Sequence, residues 1–133
     1  MNAASRVVGP ERAAESARRW REAGERVALA RGDFDLLTVD HVHQLSAVRA
    51  RADRLVVAVR GDRAAGGAPG RPVLPARDRA ALVAALRGVD LVLVLEDAPA
   101  GGREVGLAAD VEVEVPGGRD PAARMREAGG GAS

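Results

Sequence analysis

The sequence alternates short apolar runs with segments of helical periodicity, and this alternation constrains the fold more than any other feature. The apolar runs are residues 27–30, 55–59, 91–95 and 111–115. The helical patterns cover residues 10–23, 41–51 and 76–87. Strands that are apolar throughout are typical of parallel sheets covered by helices on both faces. The sequence therefore predicts an α/β protein with three layers and a mostly parallel sheet.

The last third of the chain has weaker patterns. In the run 111–115, valines alternate with Glu112 and Glu114, which predicts an edge strand with one solvated face. Residues 121–128 are predicted to form a last helix, and residues 60–75 a loop rich in Gly, Pro and Ala. The length of 133 residues fits one domain, expected to span residues 1–128 before a disordered tail at 129–133.

Composition excludes several classes of function. The chain has no Cys, which excludes disulfides and thiolate chemistry, and it has no Lys for Schiff-base or P-loop chemistry. Aromatic residues are only 2%, too few for stacking on single-stranded nucleic acid, and the net charge of +1 shows no basic bias. No apolar segment resembles a signal peptide or membrane span, so a cytoplasmic protein without nucleic-acid or membrane partners is expected.

Parallel α/β sheets bind ligands beyond the carboxyl ends of their strands. The loops that follow the first three predicted strands, residues 31–40, 60–75 and 96–103, are therefore the candidate ligand-binding segments. Residues 32–41 have the sequence Gly-Asp-Phe-Asp-Leu-Leu-Thr-Val-Asp-His. This segment resembles the Gly-x-Phe-Asp-x-x-His-x-Gly-His segment of the cytidylyltransferase-like nucleotidyltransferases. The likeness is strongest to bacterial heptose-phosphate adenylyltransferases and glycerol-3-phosphate cytidylyltransferases.

Further segments carry the same resemblance over roughly residues 5–115 of the chain. They are residues 20–27, 53–59, 70–75, 78–79, 84–86 and 89–90. The order and spacing of these segments follow the family, including its Gly-Arg-Pro loop at residues 70–72. The resemblance implies a Rossmann-like nucleotidyltransferase fold, here shortened at its C-terminal end.

The resemblance also implies an activity and a site. In family members, a sugar or polyol phosphate attacks the α-phosphate of a nucleoside triphosphate, and diphosphate leaves. Mg²⁺ assists this reaction. Carried over by position, the expected nucleotide-binding residues are Gly32, Phe34, Asp35, Thr38, His41 and Arg79. Of these, His41 is the candidate catalytic residue, and no residue is assigned as a metal ligand.

The sequence departs from the family at the centre of this motif. Thr38 stands where the family has its first His, Asp40 stands where it has Gly, and the loop Lys falls near Gly67. A carboxylate about 4 Å from a phosphate charge costs about 4 kcal/mol at an effective dielectric of about 20. Losing one phosphate donor costs roughly 3 kcal/mol more. Together these effects correspond to a rate loss on the order of 10⁵-fold.

Several residues have two interpretations. Asp40 is expected to cap the helix that begins at His41, with Thr38 as the other candidate cap. Asp35 is expected to order its loop through backbone hydrogen bonds, and His43 to be solvated. Arg79 either faces the cleft or pairs with a surface carboxylate. The acidic and imidazole side chains of residues 33–43 match no dedicated metal-binding motif.

Three functions remain open at this point. The first is an enzyme that transfers a nucleotidyl group from ATP or CTP to a sugar or polyol phosphate, with weak activity. The second is an inactive relative (a pseudoenzyme) that binds a nucleotide or a protein partner without turnover. The third is a protein-interaction module, since the apolar content would also suit the face of a homodimer. The departures at Thr38 and Asp40 favour the second function over the first.

Overall fold

A five-stranded sheet forms the centre of the molecule, with the strand order β3-β2-β1-β4-β5. The computed structural model describes residues 3–65, 70–96, 106–116 and 124–127. The strands are β1 (Val27–Gly32), β2 (Arg54–Arg60), β3 (Leu91–Leu95), β4 (Val111–Glu114) and β5 (Arg124–Glu127). Strands β1 to β4 run parallel, and β5 pairs antiparallel with β4. The predicted α/β class with a mostly parallel sheet is confirmed.

Helices cover both faces of this sheet. The described helices are a 3-10 helix (Ala3–Arg6), α1 (Pro10–Glu22), α2 (Val39–Arg49), α3 (Asp62–Ala65) and α4 (Ala76–Ala84). On one face, Ala13 and Ala17 of α1 pack in a cluster with Leu29 of β1. On the other face, Leu45 of α2 and Val83 of α4 share a second cluster with the sheet. Among the described helices, none is long and apolar enough to cross a membrane.

Four local predictions were wrong. Strand β4 is not an edge strand, because β5 pairs with its outer side and places Met125 opposite Val113. The described part of the predicted helix 121–128 is this strand β5, whose conformation is set by pairing with β4 rather than by its own sequence. Helix α4 ends at Ala84 instead of residue 87, and residues 62–65 of the predicted loop form α3. The predicted tail at 129–133 lies outside the described residues.

Aspartates fix the amino ends of the strands. Three carboxylates each accept a backbone N–H at or beside the start of a strand. The pairs are Asp53 with Arg26 N (2.7 Å), Asp110 with Val27 N (2.9 Å) and Asp90 with Leu55 N (2.8 Å). Burial opposes ionisation of Asp110, but the hydrogen bond from Val27 and the Arg21 guanidinium outweigh it and lower its pKa. The aspartates therefore hold the amino edge of the sheet through backbone hydrogen bonds. The loops of the candidate site lie at the opposite edge.

Candidate functional site

The strand order reverses between β1 and β4, and parallel α/β sheets bind ligands beyond the carboxyl ends of their strands at such a reversal. The region beyond the carboxyl ends of β1 and β4 is called the crevice. Strand β1 ends there at Gly32. A Cβ atom on Gly32 would lie 2.9 Å from Phe34 Cε2 and 3.0 Å from the Val115 carbonyl oxygen. Phe34 is 2% exposed and has a φ of 52°, which is unusual for a residue other than glycine. Gly32 thus makes room for a tight turn that folds the Phe34 ring back against the end of β1.

Asp35 connects this turn to the Gly-Arg-Pro loop. Its carboxylate accepts hydrogen bonds from Val73 N (2.8 Å) and Leu74 N (3.1 Å), and Arg71 Nη1 lies 3.0 Å away. Burial raises the pKa of Asp35, but these three donors outweigh it and hold the pKa below its ordinary value. The expectation that Asp35 orders a loop by backbone hydrogen bonds agrees with this geometry, although the loop is residues 71–74 rather than its own.

Helix α2 begins with a reciprocal capping box. Thr38 Oγ1 accepts the backbone N–H of His41 at 3.4 Å, and His41 Nδ1 accepts the backbone N–H of Thr38 at 3.0 Å. The cap is therefore Thr38, and the expectation that Asp40 caps a helix starting at His41 was wrong. The hydroxyl at 38 starts the helix two residues earlier, which leaves Asp40 exposed within the first turn.

The remaining motif histidine is buried. His41 is 2% exposed, and its ring centroid lies 5.7 Å from that of Phe34. Because Nδ1 accepts the Thr38 N–H, the ring proton is on Nε2, and the imidazole also hydrogen-bonds the Pro116 backbone. Burial lowers the pKa of His41, despite the opposing effects of Asp40 and the Pro116 hydrogen bond. The structure thus holds His41 as a neutral imidazole between α2 and the end of β4.

Arg79 ties together the segments at the carboxyl edge. Its side chain is 0% exposed, and its guanidinium donates to the carbonyls of Asp33 (2.7 Å), Arg60 (2.7 Å) and Leu74 (2.9 Å). A fourth hydrogen bond, of 2.8 Å, reaches Asp62 Oδ1. Of the two interpretations of Arg79, the pairing with a carboxylate is present, but the arginine itself is buried. Its assignment to nucleotide binding stays a prediction.

Asp62 was missed by sequence reasoning. Its Oδ1 accepts both the Arg79 guanidinium and the backbone N–H of Ala76, at 2.8 Å each, so it also satisfies the start of α4. The available signal was its position, since a single glycine separates it from the end of β2 at Arg60. A polar residue at the carboxyl end of a parallel strand is a candidate for the ligand-binding edge.

A second group missed in sequence reasoning is a charge cluster at the same edge. Arg31 Nη1 lies 2.9 Å from Glu112 Oε1, and Arg31 Nε lies 3.7 Å from Glu114 Oε1. Arg60 Nη1 lies 3.2 Å from Asp33 Oδ1, and its Nη2 contacts the Glu114 carboxylate. Although burial opposes its charge, Glu114 and Asp33 raise the pKa of Arg60. The predicted solvated face of β4 is therefore half-buried and paired with arginines.

The described residues contain no group of three or more His, Cys, Asp or Glu side chains able to hold a metal ion. Asp33 pairs with Arg60 and Asp35 with the 71–74 loop. Residues 66–69 of the predicted loop 60–75, which include the position of the family Lys at Gly67, lie outside the described residues, as does the segment 97–103.

A family model and individual relatives both resemble this chain. Residues 29–100 match the model of the cytidylyltransferase-like family. The bifunctional protein HldE of Acidiphilium cryptum (strain JF-5) is 46% identical over 94 residues, which are 69% of this chain and 19% of that protein. The bifunctional protein HldE of Methylococcus capsulatus (strain Bath) is 49% identical over 79 residues, 57% of this chain and 16% of that protein. The chain spans about a fifth of the length of these relatives.

A solved structure agrees with the sequence comparisons. The crystal structure of the lipopolysaccharide core biosynthesis protein from Thermoplasma volcanium GSS1 has a TM-score of 0.59 and 28% identity to this chain. The match covers 65% of this chain and 71% of that one. The resemblance inferred from the residues of the Gly32–His41 segment is thereby confirmed, and the chain belongs to the cytidylyltransferase-like family of nucleotidyltransferases.

Proposed function

We propose that the crevice between β1 and β4 binds a nucleoside triphosphate, ATP or CTP, and that transfer of its nucleotidyl group to a sugar or polyol phosphate is slow or absent. Membership of the family supports the nucleotide site. The capping box supports the weak transfer, because the two motif side chains best suited to contact phosphates, Thr38 and His41, bond to each other. That reciprocal contact is the observation that carries the proposal.

The negative charge at the start of α2 also disfavours nucleotidyl transfer. A helix N-terminus attracts phosphate through its free N–H groups and its dipole. Asp40 is exposed in the first turn of α2, and its carboxylate repels an anion that approaches this end of the helix. Mg²⁺ would offset this repulsion if it entered with the nucleotide, since Mg²⁺ is commonly held by substrate phosphates and one or two carboxylates.

A second candidate function is efficient transfer to a sugar phosphate. The observation in its favour is the 46% identity to the bifunctional protein HldE of Acidiphilium cryptum. For this candidate, His41 would have to leave the Thr38 N–H and the Pro116 backbone when substrate binds, and turn its imidazole toward the phosphates.

Calorimetric titration with ATP and CTP, with and without Mg²⁺, tests the proposal. We expect a dissociation constant between about 1 µM and 1 mM, in the usual range for enzyme substrates, and tighter binding with Mg²⁺. Adenosine and cytidine serve as controls for the contribution of the phosphates. Absence of binding by both nucleotides would contradict the nucleotide site, and rapid diphosphate release on adding sugar phosphates would favour the second candidate.

A further inference from the structure

Arg60 crosses the carboxyl edge of the sheet at the crevice. Arg60 is the last residue of β2. Its guanidinium nevertheless lies 3.2 Å from the carboxylate of Asp33, which follows β1, and it also contacts the carboxylate of Glu114 at the end of β4. Strand β1 lies between β2 and β4, so the Arg60 side chain spans the end of β1. Arg60 lies on the same sheet face as Val56 and Ala58, the face covered by α1. A cation therefore lies at the point where the strand order reverses.

The contacts of Arg60 can be exchanged at low cost. Glu114 has a second cation, because Arg31 Nε lies 3.7 Å from its Oε1. The side chains of Asp33 and Glu114 are 36% and 41% exposed, so water can solvate both carboxylates. Departure of Arg60 thus leaves no buried charge unpaired, in contrast to Arg79, which is fully enclosed among carbonyl groups.

The chemistry of the side chain suits a phosphate. A guanidinium presents its N–H groups in a planar fork that binds a phosphate in the same way as a carboxylate. The chain has no Lys, so a side chain that brings a permanent positive charge to a phosphate must be an arginine. The Asp33 and Glu114 carboxylates then occupy the place on Arg60 that phosphate oxygens would take.

We propose that Arg60 is a phosphate-binding residue of the crevice, and that a nucleoside triphosphate displaces Asp33 and Glu114 from its guanidinium. This inference rests on the proposed nucleotide site. It makes Asp33 a competitor of the ligand for Arg60, so removing the charge of Asp33 strengthens nucleotide binding. A purely structural ion pair has the opposite consequence, since the loss of either partner then impairs the site in the same direction.

Calorimetry on the Arg60→Met and Asp33→Asn variants tests the inference, with ATP, CTP and the two nucleosides as probes. We expect Arg60→Met to weaken ATP and CTP binding roughly tenfold or more, the effect of one lost charge-assisted hydrogen bond, and to leave nucleoside binding unchanged. Asp33→Asn is expected to tighten ATP and CTP binding about threefold. Arg54→Met is the matched control, because Arg54 pairs with Glu25 and Asp90 at the opposite end of β2.

Each outcome decides the inference. Opposite effects of Arg60→Met and Asp33→Asn, seen only with the triphosphates, support it. Equal weakening of nucleosides and nucleotides by both variants shows a structural ion pair and overturns it. If the wild type binds ATP or CTP and Arg60→Met behaves as Arg54→Met, only this inference fails. If the wild type binds neither nucleotide, the proposed function fails and the role of Arg60 fails with it.

Discussion

His41 shows how a motif residue can take a structural role. Its Nδ1 accepts the Thr38 N–H, its ring lies beside Phe34, and its other nitrogen is directed to the backbone of Pro116. Protonation of Nδ1 would remove the acceptor for Thr38 and place a charge in a buried pocket. A buried imidazole held neutral in this way couples folding to the binding of a proton.

The pH dependence of stability follows from this arrangement. Because burial lowers the pKa of His41, the unfolded chain takes up the proton before the folded chain does. Lowering the pH from about 7.5 to about 5.5 should therefore lower the free energy of unfolding, by at most about 1.4 kcal/mol per pH unit. Urea denaturation over this range measures the effect. The pKa values of Asp35 and Asp110 are also lowered, but their loss of stability belongs to pH below about 4.

Two glutamine variants distinguish the contributions of His41 and His43 to the pH dependence of stability. His41→Gln retains a donor for Pro116 without a titrating group, so the decline between about pH 7.5 and 5.5 should largely disappear. His43→Gln, two residues along and exposed, should keep the decline of the wild type. The reverse pattern, with the decline lost in His43→Gln alone, would mean that His41 is not the group responsible.

At the scale of elements, the start of α2 is set by one hydroxyl group. Thr38 Oγ1 accepts the His41 N–H, and Asp40 lies inside the first turn without capping it. Thr38→Ala should therefore lower the free energy of unfolding by about 1 kcal/mol, with an unchanged denaturant slope. Asp40→Ala should cost less, about 0.3–1 kcal/mol, because it loses only an interaction with the helix dipole.

Thr38→Ser is the matched control for this prediction, since it retains the capping oxygen. It should lie within about 0.5 kcal/mol of the wild type in the same denaturation series. A larger loss of stability in Asp40→Ala than in Thr38→Ala would restore Asp40 as the cap and contradict the start of α2 at Val39.

At the scale of the whole molecule, the sequence predicted the layers but not the contacts between loops. The apolar runs of β1 to β3 are long enough to predict buried parallel strands. That nucleotide binds at the carboxyl edge beside the Gly32–His41 segment stays a prediction. Strand β5 escaped prediction because a four-residue polar segment takes its conformation from β4. The burial of Arg79 could not be predicted either, because arginine is rarely fully buried and its four partners come from three segments of the chain.

The central claim is that Thr38 and Asp40 limit transfer in a crevice that still binds nucleotide. Diphosphate release from ATP and CTP with sugar phosphates, compared between wild type and Thr38→His/Asp40→Gly, tests it most directly. We predict little or no release by the wild type and at least a tenfold higher rate in the double variant, measured where it remains folded despite losing the Thr38 cap. Robust release by the wild type that the double variant does not exceed would contradict the account.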